Sequence, residues 1–113
     1  MDTIWLNLNG LQMYLIEVSE PFEKWLHGLK DKVAVARILA RLKKVEFGSL
    51  GDVKALGDKL YEMRIFYGPG YRLYYAKRGK VIILLLNGGD KSTQSRDIKK
   101  AKEILNDLED END

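Results

Sequence analysis

Polar and apolar positions recur along this chain with periods that change from segment to segment. From Gln12 to Val18 they alternate, the pattern of a half-buried strand. Pro21 suits the first turn of a helix, and Phe22, Trp25, Leu26 and Leu29 follow at the spacing of one buried stripe. Gly28 keeps that helix short. Asp31 is placed to cap a second helix with the stripe Val35, Ile38, Leu39, Leu42 and Val45, leaving Lys32, Arg37, Arg41 and Lys44 on its outer face. The glycine-bearing stretch from Phe47 to Lys59 predicts a loop with a short strand near Val53 to Leu56.

Beyond Leu60 the period is that of strands. Glu62, Arg64 and Phe66 share one face while Tyr61, Met63 and Ile65 share the other, and Arg72 and Tyr74 alternate with Tyr71, Leu73 and Tyr75. A turn at Gly68-Pro69-Gly70 would fold the two runs into a hairpin and bring Arg64 close to Arg72. Val81 to Leu86 is apolar on both faces, as in a central strand covered on both sides. Gly88-Gly89 ends it, Asp90 to Ser95 offers capping side chains, and Ile98, Ala101, Leu105 and Leu108 mark a final helix. This order predicts an α+β domain with a mostly antiparallel sheet, two N-terminal helices and a C-terminal helix.

Length and composition narrow the function. The 113 residues suit one domain, 1–113, and 45% apolar with 32% charged residues is ordinary for a soluble globular chain. Without cysteine, disulfides, thiolate metal sites and thiol catalysis are excluded. The N-terminus lacks the pattern of a signal peptide, and the Val81–Leu86 run is far below the ~20 residues of a membrane span, so a cytoplasmic location with no membrane partner is expected.

The net charge of +2 conceals an uneven distribution. Residues 1–53 carry 7 basic and 7 acidic side chains; residues 54–102 carry 12 basic and 4 acidic, giving +8; residues 103–113 carry 6 acidic and no basic, giving −6. The basic middle coincides with the strands around Arg64 and Arg72 and invites a polyanionic partner. Two guanidinium groups beside tyrosine rings suit a phosphate flanked by nucleobases. The single histidine, His27, is remote in sequence from that region and is read as a surface or packing residue; no metal set and no cofactor motif is present.

The ordered combination Tyr61-Glu62-Met63-Arg64-Ile65, Gly68-Pro69-Gly70-Tyr71-Arg72-Leu73-Tyr74-Tyr75, Leu85 to Gln94 and Asp97-Ile98 resembles the killer proteins of type II toxin–antitoxin modules. Within the RelE/ParE superfamily it is similar to the RelE/HigB-like branch of phage-derived and addiction-module toxins, over about Gln12 to Leu108. The resemblance implies a RelE-like fold and a small ribosome-dependent endoribonuclease, an mRNA interferase that needs no metal. Its implied partners are the ribosome, mRNA and an antitoxin of helix-turn-helix type, with a toxin–antitoxin complex on operator DNA.

Residue by residue, the resemblance gives Arg72 the scissile phosphate and transition-state charge, the alternative being a structural ion pair with Glu62 or Asp90. Arg64 falls to substrate positioning or the base role. Lys91 is either the acid for the leaving oxygen or a solvated loop lysine. Lys54 is assigned a phosphate contact. Parity with Arg72 gives Tyr74 the base-stacking role and Tyr71 a packing role. Gln94 either reads a base edge or caps the last helix. A non-catalytic, gyrase-poisoning type of toxin and a regulatory nucleic-acid-binding domain are the competing readings.

Overall fold

Ser19 joins local and long-range order. Its hydroxyl accepts from the Phe22 amide at 3.2 Å, capping a helix, and donates to the Leu86 carbonyl at 2.6 Å, 67 residues away. In the computed structural model, which describes residues 13–111, β1 (Leu15–Val18) leads through this cap into α1 (Glu20–Gly28) and α2 (Lys32–Glu46). A meander of β2 (Val53–Gly57), β3 (Leu60–Ile65), β4 (Tyr71–Arg78) and β5 (Ile82–Asp90) follows, and a 3₁₀ turn at Lys91–Thr93 leads into α3 (Gln94–Glu111). The sheet order is β1-β5-β4-β3-β2, with β1 parallel to β5 and every other pair antiparallel. The predicted order of elements is the observed one, except that β5 does not end at Gly88-Gly89 but carries both glycines in its ladder with β4 and runs on to Asp90; Gln12, where the first strand was expected to begin, lies outside the described residues.

Asp31 caps α2 as expected, accepting from the amides of Val33 at 2.9 Å and Ala34 at 3.2 Å. The buried stripe of that helix is rotated from the expected one. Ala34, Ile38, Leu42 and Val45 face inward, whereas Leu39 is 51% exposed. The rotation turns Arg41 from the outer face toward the sheet, where its guanidinium donates to the carbonyls of Leu50, Asp52 and Arg64 at 2.7–3.2 Å. Burial lowers the pKa of Arg41 and the nearby Asp52 carboxylate opposes the shift. Carbonyls leading into β2 and at the end of β3 thereby gain side-chain donors, the Asp52 carbonyl in addition to the Arg64 amide.

The helices divide between the two faces of the sheet. α1 and α2 cover Met63, Ile65, Tyr71, Leu73, Tyr75, Ile83 and Leu85 on one face. On the other, α3 packs Ala101 and Leu105 over Leu60, Tyr74, Ala76, Leu84 and Leu86. A bulge in β5 matters for the site: Tyr75 pairs with Leu85 but Tyr74 with Asn87, so the extra residue Leu86 reverses the alternation beyond it. Gly88 then faces α1 and Gly89 faces α3. A Cβ on Gly88 would collide with the Trp25 ring, and one on Gly89 with the Asp97 carboxylate, so both glycines are required by close approach.

Candidate functional site

Directly opposed residues of an antiparallel pair project from the same face, so the registers assemble two adjacent rows across the sheet on the α3 side. One row runs Lys54, Glu62, Tyr74, Asn87 and the next runs Arg64, Arg72, Gly89. The hairpin expected from Gly68-Pro69-Gly70 therefore does place Arg64 and Arg72 as immediate cross-strand neighbours.

The environments of the two arginines differ. Arg72 Nη1 donates to Glu62 Oε1 at 3.2 Å, with only 13% of the arginine side chain and 1% of the glutamate side chain exposed. The second carboxylate oxygen, Oε2, accepts from Gln94 Nε2 at 2.8 Å. Glu62 thus holds one guanidinium and one amide in fixed positions, and the ion pair with Glu62 that the sequence left as an alternative is present. Arg64 is more open: its Nη2 meets Asp52 Oδ1 at 3.0 Å, with about a third of each side chain exposed (35% and 34%). One carboxylate beside each arginine reduces the net positive charge, while the planar forks keep further N–H donors available for an anion.

The remaining expected residues fall around this pair. Lys54 is exposed on the edge strand β2 in the Glu62 row. Lys91 is exposed on the 3₁₀ turn, with its Cβ beside Gly70 of the hairpin turn. Asp90 caps that turn, accepting from the Ser92 amide at 2.8 Å, and its bonds from Ser92 hold its carboxyl below the usual carboxylate range. Gln94 lies at the start of α3, where its amide is committed to Glu62. His27 is exposed on α1, and no group of metal-ligating side chains occurs among the described residues.

Tyr74 is the expectation that the structure corrects. Its ring is fully buried beneath α3, so it offers no face to a base. Burial, reinforced by the Glu62 charge, pushes its hydroxyl well above the ordinary tyrosine range. Tyr71 packs, as expected, edge-on against Trp25 at 6.3 Å. The sequence offers Glu62 as a partner for Arg72 without marking it as the buried centre of the site. The available signal was its register: in a hairpin closed at Gly68-Gly70, Glu62 stands diagonal to Arg72 on the same face.

Asp97 ties the first turn of α3 to this end of the sheet. Its carboxylate accepts from the Thr93 hydroxyl and packs against Gly89, while its carbonyl accepts from Asn87 Nδ2 at 3.1 Å. The site is therefore bounded by the hairpin end of β3 and β4, the edge strand β2 and the N-terminal turn of α3.

Three comparisons bear on this arrangement. Residues 24–108 match the family described as phage derived protein Gp49-like (DUF891). An uncharacterized protein of Haemophilus influenzae is 45% identical over 93 residues, covering 82% of this chain and 94% of its own. A free-state structure of the Escherichia coli toxin RelE, with two arginines replaced by alanine, superposes with a TM-score of 0.59 at 21% identity, covering 79% of this chain and 98% of that one. No helix among the described residues is long and apolar enough to cross a membrane. The chain belongs to the phage-derived Gp49-like family and is built on the fold of the RelE toxins.

Proposed function

We propose that this protein is the toxin of a type II toxin–antitoxin module and acts as a ribosome-dependent endoribonuclease on mRNA. The observation that carries the proposal is the Arg64–Arg72 cross-strand pair on the sheet face beside the start of α3, with Lys54 and Lys91 at its margins. Cleavage of RNA by its own 2′-hydroxyl needs a base for that hydroxyl, positive charge for the pentacoordinate phosphorus and an acid for the departing 5′-oxygen. Arg72, oriented by Glu62 and Gln94, supplies fixed charge to the phosphorane. Arg64, kept protonated beside Asp52, positions the phosphate while the 2′-hydroxyl proton passes to water, and Lys91 protonates the leaving oxygen.

This set lacks a neighbouring histidine, which makes positioning the larger contribution. An mRNA held by the ribosome with its 2′-oxygen in line with the scissile bond converts a weak set of groups into an effective one. The +8 middle region also suits an antitoxin that covers the basic surface with acidic or apolar side chains. An adjacent reading frame for a helix-turn-helix protein would identify that partner.

One observation favours a second reading, a binding toxin without catalysis: the Arg72 charge is already balanced by a buried carboxylate. Mapping the 5′ ends of translated mRNA after brief induction separates the two. Codon-spaced cuts in reading frame support the endoribonuclease, and growth arrest with intact mRNA overturns it.

A further inference from the structure

Phe66 is 78% exposed, the most exposed large apolar side chain among the described residues. It stands immediately after β3 and two residues beyond Arg64, a separation of about 6.6 Å along an extended strand. That is comparable to the reach from a nucleotide's phosphate to its own base.

The backbone that presents the ring is fixed on both sides. Before it, the Arg64 amide donates to the Asp52 carbonyl at 3.0 Å. After it, the Tyr67 amide donates to Ile65 and the Gly70 amide to Tyr67, both at 3.0 Å. The Tyr67 hydroxyl donates to Asp31 Oδ2 at 3.0 Å, and the Arg37 guanidinium lies 4.6 Å over the Tyr67 ring. The chain therefore anchors Tyr67 to α2 and leaves its neighbour projecting. An apolar ring on a turn held by these bonds, two residues beyond Arg64 and its cross-strand neighbour Arg72, has the two components of a single-strand nucleic-acid platform: a π-face and flanking positive charge.

We propose that Phe66 is the stacking platform for a nucleobase of single-stranded RNA whose adjoining phosphate is held at the Arg64–Arg72 row. The proposal rests on the RNA reading of that row, and it assigns to Phe66 the stacking role expected of Tyr74. Phenylalanine has no hydrogen-bonding group, so the platform accepts any base and favours those with the larger π-face.

The test is equilibrium binding of a fluorescent single-stranded oligoribonucleotide to the full chain at low salt, with a second probe in which single nucleotides are abasic in turn. Programmed ribosomes serve as a third probe. Phe66→Ala should weaken binding of the intact probe by about 5- to 150-fold, the range for one base stacked on an aromatic ring. It should bind the probe with the critical abasic position as the unaltered protein does. Phe66→Trp should restore intact-probe binding, with indole fluorescence quenched by the base. Arg64→Ala should weaken intact and abasic probes alike, because it reads phosphate.

Equal binding by Phe66→Ala and the unaltered protein overturns the platform while leaving the RNA reading standing. Loss of self-association or of antitoxin binding in Phe66→Ala, with RNA binding unchanged, assigns the ring to a protein interface and also overturns it. Absence of binding by the unaltered protein to all three probes overturns both readings.

Discussion

Replacing Arg72 with alanine should unfold the protein's margin of stability before it reveals anything about chemistry. The Glu62 side chain is 1% exposed and its two oxygens are held by Arg72 at 3.2 Å and Gln94 at 2.8 Å. Removing the guanidinium strands a buried carboxylate with one neutral donor. Breaking a buried ion pair in this way costs about 3–5 kcal/mol. A domain of this size has roughly 5–15 kcal/mol in total, and each 1 kcal/mol moves the melting temperature by roughly 4 °C or more, so a fall of about 12–20 °C is expected. Loss of toxicity in Arg72→Ala alone would therefore be ambiguous. The double variant Arg72→Ala/Glu62→Gln removes the stranded charge, keeps a side chain that can bond Gln94, and should recover most of the lost stability. Urea denaturation of the single and double variants, with slopes compared, measures both. The double variant should be folded and should fail to arrest growth. A loss below about 1 kcal/mol in Arg72→Ala would refute the claim that this pair stabilises the site. A folded double variant that still arrests growth would remove Arg72 from the mechanism.

Two further outcomes follow from the α3 side of the sheet. Gly89→Ala drives a methyl group into Asp97, so it should cost about 1–3 kcal/mol as overpacking does and raise amide exchange in the first turns of α3; unchanged exchange would show that the helix can shift without loss. Asp90 has a depressed folded pKa, so its contribution is complete above its unfolded pKa of about 3.9 and is lost as pH falls through the lower folded value. The Ser92 amide resonance should accordingly hold steady from pH 7 to about pH 5 and move below pH 4, and Asp90→Asn should abolish that titration.

Much of the fold was legible because its signals are local. Asp31 and the stripes after Pro21 fix the helices, and Gly68-Pro69-Gly70 fixes the hairpin that pairs Arg64 with Arg72. What failed were judgements of depth. Alternation placed Tyr74 correctly on the Arg72 face, but parity cannot tell how far a helix extends over that face, and α3 covers Tyr74. Arg41 was assigned to the outer face because the partners that draw it inward are backbone carbonyls, which leave no mark in side-chain periodicity. The bulge at Leu86 and Asn87 is equally silent in an apolar run, yet it decides which glycine meets Trp25 and which meets Asp97.

The parallel pairing of β1 with β5 also sets a timetable. Leu15–Val18 can find partners only at Ile82–Leu85, and Ser19 reaches Leu86 across 67 residues. A closure of this sequence separation is slow to form by chance and comes late in folding. During synthesis at about 5–20 residues per second, the first strand and its Ser19 cap wait roughly 3–13 s for the strand that completes them. Until then Phe22, Ile38 and Leu42 lack the Ile83 and Leu85 part of the sheet against which they finally pack. The Arg64–Arg72 hairpin is translated before β5 and can close locally, but its supports from Asn87, Gln94 and Asp97 arrive only with the last third of the chain. The order of elements thus delays assembly of the cationic site until the nascent chain is nearly finished.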